Sequence, residues 1–387
     1  MNKFYYIISV LYTSLIFAQS PVPEGAVLEK IATGFKFVEG PVWNDSLGLL
    51  FSDIEGNTIY QWSPVDSIKP YLQPSDSSNG LAYDNQGRLI LTQMRLRRIA
   101  RQETDGTLTP LVTNYNGKKF HCPNDLAVKS DGSIFFTDPD FNIPFPYNKE
   151  LTFKGIYRLS PSGTVTVLDT SFDKPNGICF SPDEKKLYVN ESPRGQIYEW
   201  DVVDDSTISN KKLLYQIPVN GYADGMKTDP DGNIYCTGPT GIWIVSPSGE
   251  LLDRIDVPES ARNCNWGDAD RKTLYITAGK SLYRIRLASA TGVKDEGNLI
   301  KPMELYPNYP NPFNPVTEIK YSVSKKLFTT LKIYDLLGKE IQTLVSEEKT
   351  AGTYSVEFDA SKLSSGTYLY QLTAGNFAES RKLILLK

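Results

Sequence analysis

Short apolar runs recur along the chain, and each follows a polar turn and ends in a polar or small residue. Six of these runs share one form, a mixture of Leu, Ile, Phe, Tyr and Val before the closing residues: LLFSD (49–53), LILTQ (89–93), IFFTD (134–138), LYVNE (187–191), IYCTG (234–238) and LYITA (274–278). Turns such as DNQGR, SDGS and DPDGN precede them. Asn, Asp, Gly and Ser between apolar runs are typical of tight turns that join antiparallel strands. The pattern therefore predicts an all-β protein built from short strands.

The six runs are spaced as a repeat. Their ends are separated by 40, 45, 53, 47 and 40 residues, and most runs are followed by a further strand such as GQIYEW or GIWIVSPSGE. A period of about 40 to 50 residues with several strands per unit is typical of a β-propeller. Six runs predict a six-bladed β-propeller. A seventh blade would need a unit that the sequence does not show, unless residues 21–38 contribute to one.

The end of the chain has a different pattern. A proline-rich stretch, YPNYPNPFNP, precedes alternating segments such as TTLKIYDLLGKEIQTLV and GTYLYQLTAG, which are typical of strands in a small sandwich. The length of 387 residues also exceeds what one core usually holds. The predicted organisation is a propeller at 21–292, a linker at 293–304 and an Ig-like β-sandwich at 305–387.

The first twenty residues have the pattern of a secretory signal. Residues 1–20 combine Lys3, an apolar stretch and a small-residue end around Ala18. A membrane anchor is the alternative, but the apolar part is shorter than the roughly 20 residues that span a bilayer. No later segment is long and apolar enough to span one. The formal net charge of −4, without a cluster of Lys and Arg, argues against a nucleic-acid partner.

The soft metal ligands are few and scattered. Cys122, Cys179, Cys236 and Cys264 show no C-x-x-C spacing, so neither a zinc knuckle nor a redox pair is indicated. Disulfides formed after export and buried free thiols both stay open. The chain has one histidine, His121, which excludes a site built from several histidines.

Polar residues stand in register with the repeat. Stepping back 14 residues from the end of each apolar run reaches Glu39, Asn79, Asn124, Gly177, Asp224 and Cys264. Asn176 precedes Gly177, so a single inserted residue in the fourth unit brings an asparagine into line. Five of the six units then place Glu, Asn or Asp at the equivalent position. Cys264, with Asn263 and Asn265, is expected to complete the wall of the sixth blade.

These polar residues open the first strand of each unit, and in a propeller that strand lines the central channel. Carboxylate and amide oxygens from several blades would then converge at one mouth, where they suit a hard divalent cation such as Ca²⁺. Two carboxylates facing one axis would also repel each other without a counter-ion. The structural alternative is that Asn, Asp and Gly stand at these positions only for local backbone reasons.

At these residues the chain resembles the gluconolactonase/regucalcin (senescence marker protein) family of six-bladed propellers over roughly residues 30 to 290. The resemblance rests on segments that include FVEGPVWND, SNGLAYDNQGRLI, CPNDLAVKSDGSIFFTDP, KPNGICFSPDEKKLYVNES and ADGMKTDPDGNIYCTG. It implies one divalent metal in the channel, bound by Glu39, Asn176 and Asp224, with Asn124 as a further ligand or a substrate contact. Ca²⁺ is the expected ion, and Zn²⁺, Mn²⁺ and Mg²⁺ stay open.

The resemblance also implies an activity, the hydrolysis of sugar lactones and related esters, with the metal polarising the carbonyl. Asp224 matches the proposed catalytic base. Asn124, Asn79 and His121 are the candidate substrate contacts, and an ordinary histidine without a role in substrate binding is the alternative for His121. The rival functions are another ester or phosphotriester hydrolase on the same scaffold, and a non-enzymatic binding propeller stapled by its ion.

The chain departs from the family pattern in two places. Bacterial lactonases of this type often show an acidic residue and a histidine where this chain has Gln93 and Met94, which leaves the substrate preference open. The C-terminal extension is the second departure. Its segments YPNPFNP, IYDLLGKEI and SSGTYLYQL resemble the type IX secretion sorting domain over residues 305–387. That resemblance implies export across the inner membrane, the type IX machinery as partner, and release or surface attachment. A carbohydrate-binding Ig-like module is the alternative.

Overall fold

The computed structural model describes residues 20–386 except 65–66, 142–147, 205–206, 219–220, 288–303, 309, 324–325, 337, 351 and 376. The predicted signal peptide lies outside these residues apart from Ser20, and so does the predicted linker apart from Glu304. The chain divides into two compact units, residues 1–292 and 293–387. Each unit is described by itself.

The first unit is the predicted six-bladed propeller, made of six four-stranded antiparallel sheets. The strands of a blade are named inner, second, third and outer from the channel outward. Blade 1 has Val38–Asn44, Gly48–Asp53, Thr58–Ser63 and Ser67–Leu72. Blade 2 has Ser78–Tyr83, Leu89–Gln93, Arg98–Gln102 and Leu108–Val112. Blade 3 has Leu126–Val128, Ile134–Asp138, Gly155–Leu159 and Val165–Asp169.

The remaining blades follow the same order. Blade 4 has Pro175–Phe180, Lys186–Glu191, Gln196–Val202 and Ile208–Gln216. Blade 5 has Met226–Thr228, Ile234–Gly238, Gly241–Val245 and Leu251–Asp256. Blade 6 has Ala261–Gly267, Thr273–Ala278, Ser281–Arg286 and Leu28–Thr33. A short hairpin of Asn114–Tyr115 and Lys118–Lys119 and a 3₁₀ turn at Ser192–Arg194 complete the unit.

The ring closes through the N-terminal strand. Leu28–Thr33 pairs antiparallel with Ser281–Arg286 and forms the outer strand of blade 6. Residues 21–38 therefore complete the sixth blade and do not begin a seventh. Every inner strand contacts the inner strands of both neighbouring blades. The six inner strands thus surround one channel.

Aromatic rings fill the space between the sheets. In blade 3 the rings of Phe136 and Tyr157 stack with centroids 5.2 Å apart, and Phe120 meets both edge-on. Rings at these distances are attractive beyond the area that they bury. The second strands have almost no exposed side chain, which explains why their sequence is an unbroken apolar run and not an alternation.

Side chains of the second strands bind neighbouring blades together near the channel. Each donates a hydrogen bond to a backbone carbonyl at the start of the next inner strand. The pairs are Ser52 to Asn79, Thr92 to Asn124, Thr137 to Asn176, Asn190 to Asp224, and Thr237 to Arg262. The four hydroxyl bonds measure 2.8 to 3.0 Å. Between blades 6 and 1 the side chain of Asn265 donates to the carbonyl of Pro41 at 2.8 Å.

The second unit is the predicted small β-sandwich. One sheet contains Glu304–Leu305, Val316–Val323 and Gly352–Asp359. The other has the order Glu340–Lys349, Leu327–Tyr334, Gly366–Ala374 and Phe377–Leu385. Tyr321, Leu331, Tyr370 and Leu383 are buried in its core. The hydroxyl of Tyr370 donates to the carbonyl of Tyr306 at 2.8 Å, which fixes the start of this unit.

Two expectations that bear on location and chemistry are also resolved. Within the described part of the chain, no helix has the length and apolar character needed to cross a bilayer. All four cysteines are buried and free, so the structure favours the buried thiols over disulfides.

Candidate active site at the channel mouth

Each inner strand begins at the same end of the channel with one polar residue. We call these six residues the ring positions: Glu39, Asn79, Asn124, Asn176, Asp224 and Arg262. Their backbone is fixed by contacts between blades. For example, the amide of Gly80 donates to the carbonyl of Asn124 at 2.9 Å, and the amide of Gly225 donates to that of Arg262 at 2.7 Å.

The glycine that follows most ring positions has a packing role. A β-carbon on Gly40 would lie 2.0 Å from the carbonyl oxygen of Asn79, and one on Gly177 would lie 2.3 Å from that of Asp224. The inner strands approach so closely that a side chain does not fit. The recurring Gly in EGP, NGL, NGI and DGM therefore serves the convergence of the strands.

Two buried carboxylates face each other at the mouth. Burial raises the pKa of Glu39 well above its usual range, and the charge of Asp224 raises it further. Burial also raises the pKa of Asp224, while the Arg262 guanidinium and a hydrogen bond from the Asn176 side chain act in the opposite direction. The structure thus brings three of the predicted ligands, Glu39, Asn176 and Asp224, into mutual range.

Amide oxygens at the same mouth lack protein partners. The side-chain oxygens of Asn79 and Asn176 are buried and accept no hydrogen bond in the described structure. Their amide nitrogens are engaged, Asn79 with the sulfur of Met94 at 3.7 Å and Asn176 with the hydroxyl of Ser192 at 3.5 Å. A buried unsatisfied oxygen is costly unless a ligand, a water or an ion meets it.

This donor set fits a hard divalent cation. Carboxylate and amide oxygens are the ligands that Ca²⁺ takes in proteins. Among the described residues no group of three or more His, Cys, Asp or Glu could hold a metal. The fit therefore depends on the asparagine oxygens as much as on Glu39 and Asp224. Asn124 is buried at the adjoining ring position, with its carbonyl held by Thr92 at 3.0 Å.

A buried ion pair that the sequence analysis missed lies beside the ring. Asp125 occupies the place that glycine takes after other ring positions, and its carboxylate is 3.6 Å from the ammonium of Lys227. The charge of Asp125 raises the pKa of Lys227 against the effect of burial. The signal in the sequence was ND in the third unit where the others have NG or DG.

The sixth ring position corrects an expectation. The spacing pointed to Cys264, but the structure places Arg262 there, because this inner strand carries its bulge between Ala261 and Asn263, nearer its start than in blades 1 and 2. The thiol of Cys264 is buried and donates to the carbonyl of Tyr235 at 3.4 Å. The sixth blade therefore contributes a guanidinium to the mouth.

Acidic residues at the ends of three second strands hold the loops that lead into the ring. Asp53, Asp138 and Glu191 each accept hydrogen bonds from two successive backbone amides ahead of the inner strand. In blade 2 this position is Gln93, whose side-chain nitrogen donates to the carbonyl of Ser75 at 3.1 Å. Gln93 therefore has a structural role, whereas Met94 packs in the mouth wall with Ile54 and Cys122.

His121 lies on one of these loops. Its backbone amide donates to Asp138, and its ring nitrogen Nε2 lies 3.0 Å from the carbonyl of Phe153. Burial lowers the pKa of His121, so the neutral ring with its proton on Nε2 fits this contact. The ring holds the loop in place, and a contact with substrate stays a prediction.

The fold and the mouth together define a six-bladed propeller with an oxygen-rich pocket at one end of its channel. Residues 37–280 match the SMP-30/gluconolactonase/LRE-like region, and the chain belongs to that family. Residues 308–386 match the secretion system C-terminal sorting domain. Such a domain implies export, followed by secretion or attachment at the cell surface.

The relatives include characterised enzymes. A gluconolactonase from Zymomonas mobilis is 32% identical over 288 residues, which cover 67% of this chain and 81% of the relative. A solved gluconolactonase structure from Xanthomonas campestris matches with a TM-score of 0.66 and 32% identity, covering 69% of this chain and 92% of that one. Diisopropyl-fluorophosphatase from Loligo vulgaris is 29% identical over 204 residues, covering 49% of this chain and 64% of the relative.

Proposed function

We propose that the propeller is a secreted, metal-dependent hydrolase that opens sugar lactones at the channel mouth. The observation that carries the proposal is the pairing of two buried carboxylates, Glu39 and Asp224, with buried asparagine oxygens that lack a protein partner. The gluconolactonase relatives support lactones as the substrate class.

Glu39, Asn176 and Asp224 would hold the ion, and Asn124 would serve as a further ligand or as a contact to the substrate. A bound divalent cation supplies Lewis-acid polarisation of the lactone carbonyl. Ca²⁺ suits the oxygen donors, and Mg²⁺, Mn²⁺ and Zn²⁺ are the alternatives.

Asp224 is the proposed general base. Its carboxylate takes a proton from water as the water oxygen bonds to the carbonyl carbon. The bond between that carbon and the ring oxygen then breaks, the ring oxygen gains a proton, and a hydroxy acid leaves. Burial raises the pKa of Asp224 and so strengthens it as a base. Asn176 and Arg262 both contact this carboxylate and orient it.

The proposed substrate contacts are Asn124, Asn79 and His121. The side-chain oxygen of Asn79 can accept a hydrogen bond from a sugar hydroxyl, since no protein group uses it. An apolar wall of Ile54, Met94 and Cys122 stands on the same side of the mouth. It would exclude water from one face of the ring.

Proton release from five- and six-membered sugar lactones tests the proposal with the full chain. We expect turnover that a chelator abolishes and added metal restores. Asp224→Asn should lower kcat about 100-fold or more, as expected for removal of a general base. Asp183→Asn, on an exposed turn at the far end of blade 4, is the matched control. Turnover that ignores the chelator and Glu39→Gln would refute the metal-dependent mechanism.

A second hydrolase function has one observation in its favour, the squid relative that acts as a diisopropyl-fluorophosphatase. The same mouth could orient a phosphotriester against Asp224. Parallel assays on lactones and phosphotriesters with Asp224→Asn separate the two. A metal that raises the melting temperature without turnover on either panel would support a binding propeller.

A further inference from the structure

Arg262 gives the mouth a positive group that the predicted metal site does not need. Its carbonyl accepts the bonds that mark a ring position, from Thr237 at 2.9 Å and from the amide of Gly225 at 2.7 Å. These match the bonds from Thr92 and Gly80 to Asn124 in blade 3. Arg262 is therefore anchored by its backbone as firmly as the candidate ligands are.

The guanidinium is held in place but not fully engaged. Its Nη1 lies 3.6 Å from the Oδ2 of Asp224, which is longer than a hydrogen bond. Its plane lies near the ring of Phe37, with 5.0 Å between the guanidinium carbon and the ring centroid. Nε is buried and has no hydrogen-bond partner in the described structure. A planar guanidinium with unused donors is suited to a carboxylate or a phosphoryl group.

The charges at the mouth leave this cation uncompensated once an ion is bound. Glu39 and Asp224 would balance a divalent cation, and Asp125 already pairs with Lys227 at 3.6 Å. Asp224 is the one acid within 4.0 Å of Arg262 among the described residues. With that carboxylate committed to the metal, the mouth carries one excess positive charge.

We propose that Arg262 forms an anion subsite and that the preferred substrates are acidic sugar lactones, whose rings carry a carboxylate or a phosphoryl group. This inference rests on the proposed lactonase function and specifies its substrate class. The carbonyl would face the carboxylate and amide oxygens of the ring, and the anionic substituent would face the sixth blade. Side-chain exposure of 26% leaves the guanidinium within reach of a ligand in the mouth.

The test compares matched lactones on the full-length, metal-loaded protein. The probes are gluconolactone, gluconolactone phosphorylated on its primary hydroxyl, and the monolactone of glucaric acid. The readout is the ratio of kcat/KM for each acidic lactone to that for gluconolactone. Arg262→Met keeps the length of the side chain and removes its charge, and it should lower the ratio about 10- to 100-fold, as expected for loss of a charged hydrogen bond. Arg262→Lys should keep part of the preference.

Arg194→Met is the matched control, because Arg194 is exposed on the 3₁₀ turn at the same mouth. It should leave the ratio unchanged, whereas an equal fall in both variants would indicate a general positive field and overturn the subsite. Equal losses on neutral and acidic lactones in Arg262→Met would also overturn it. The phosphoryl and carboxylate probes show which anion the site prefers.

A second readout separates this inference from the proposed function. Calorimetry measures the binding of gluconate and of phosphogluconate to the wild type and to Arg262→Met. Tighter binding of the phosphorylated acid that disappears in the variant supports the subsite even if no lactone is turned over. Equal binding of both acids by the wild type contradicts it, whatever the activity.

Discussion

The hydroxyl of Thr137 donates a 2.8 Å hydrogen bond to the carbonyl of Asn176, and it thereby joins the second strand of blade 3 to the first residue of the inner strand of blade 4. Both residues are buried. Equivalent bonds connect four other pairs of neighbouring blades. The positions of the candidate metal ligands thus depend on the second strands, which do not reach the channel mouth themselves.

Replacing Thr137 by valine tests this dependence. The isosteric change leaves the carbonyl of Asn176 buried without this donor, so the free energy of unfolding should fall by about 1–3 kcal/mol. Metal affinity should fall as well, because Asn176 loses its support. Urea denaturation in chelator and metal titration by calorimetry measure the two effects. Thr137→Ser retains the hydroxyl and is the control, and equal behaviour of the two variants would refute the role of this bond.

Gly177 offers a test of the close approach of the inner strands. A β-carbon there would lie 2.3 Å from the carbonyl oxygen of Asp224, which is backbone and cannot turn aside. Gly177→Ala should therefore push blades 4 and 5 apart and cost about 1–3 kcal/mol of stability, the usual range for overpacking. Denaturation monitors the loss.

Gly352→Ala is the matched control for that change. Its added carbon would meet nothing closer than 3.4 Å, in the second unit of the chain. The change from glycine to alanine is the same, so only the clash differs. A similar stability for both variants would mean that blade spacing does not require Gly177.

The repeat was readable from sequence because each second strand is a buried apolar run at a nearly constant distance from a polar residue. That regularity located five of the six ring positions. It failed in blade 6, where the bulge lies between Ala261 and Asn263 and Arg262 stands 16 residues before Ala278, not 14. Register is set by hydrogen bonds to the neighbouring strand, and a shifted bulge leaves no mark in residue type.

The roles of the acidic strand ends were also hidden. Asp138 resembles a site residue in sequence, yet it accepts two backbone amides and holds the loop of His121. Asp125 resembles a turn residue and instead pairs with Lys227, which is far away in the chain. Such partners meet only through the closed ring, so spacing along one blade cannot show them.

The metal response of Glu39→Gln should differ in sign from its effect on the metal-free protein. In chelator the variant should be more stable than the wild type, because it removes a buried carboxylate that faces Asp224 and Asp125. With calcium the wild type should gain stability, by about 2.7 kcal/mol at a concentration 100 times its Kd, and the variant should gain little. Melting curves with and without calcium measure both effects.

A wild type whose melting temperature ignores calcium, magnesium, manganese and zinc would contradict the proposed metal site. A variant less stable than the wild type in chelator would contradict the repulsion between the carboxylates. Asp183→Asn is the control, since it removes an exposed carboxylate remote from the mouth.

The same carboxylates predict opposite pH dependences with and without metal. Burial raises the pKa of Glu39 and of Asp224 in the folded protein. Their contribution to stability is therefore fully present below the ordinary carboxyl pKa, near 4, and is lost as pH rises through the raised values. In chelator, the unfolding free energy of the wild type minus that of Glu39→Gln should become more negative between about pH 5 and pH 8.

With calcium the trend should reverse. The ion binds the ionised carboxylates, so protons compete with it and the gain in melting temperature on adding calcium should grow as pH rises. Melting curves at several pH values, in chelator and in calcium, test both slopes on the same preparations. Taking the difference from Glu39→Gln cancels groups common to both proteins, including Asp138, whose pKa burial raises to about 7. Parallel slopes in the two conditions would show that Glu39 and Asp224 do not bind the ion.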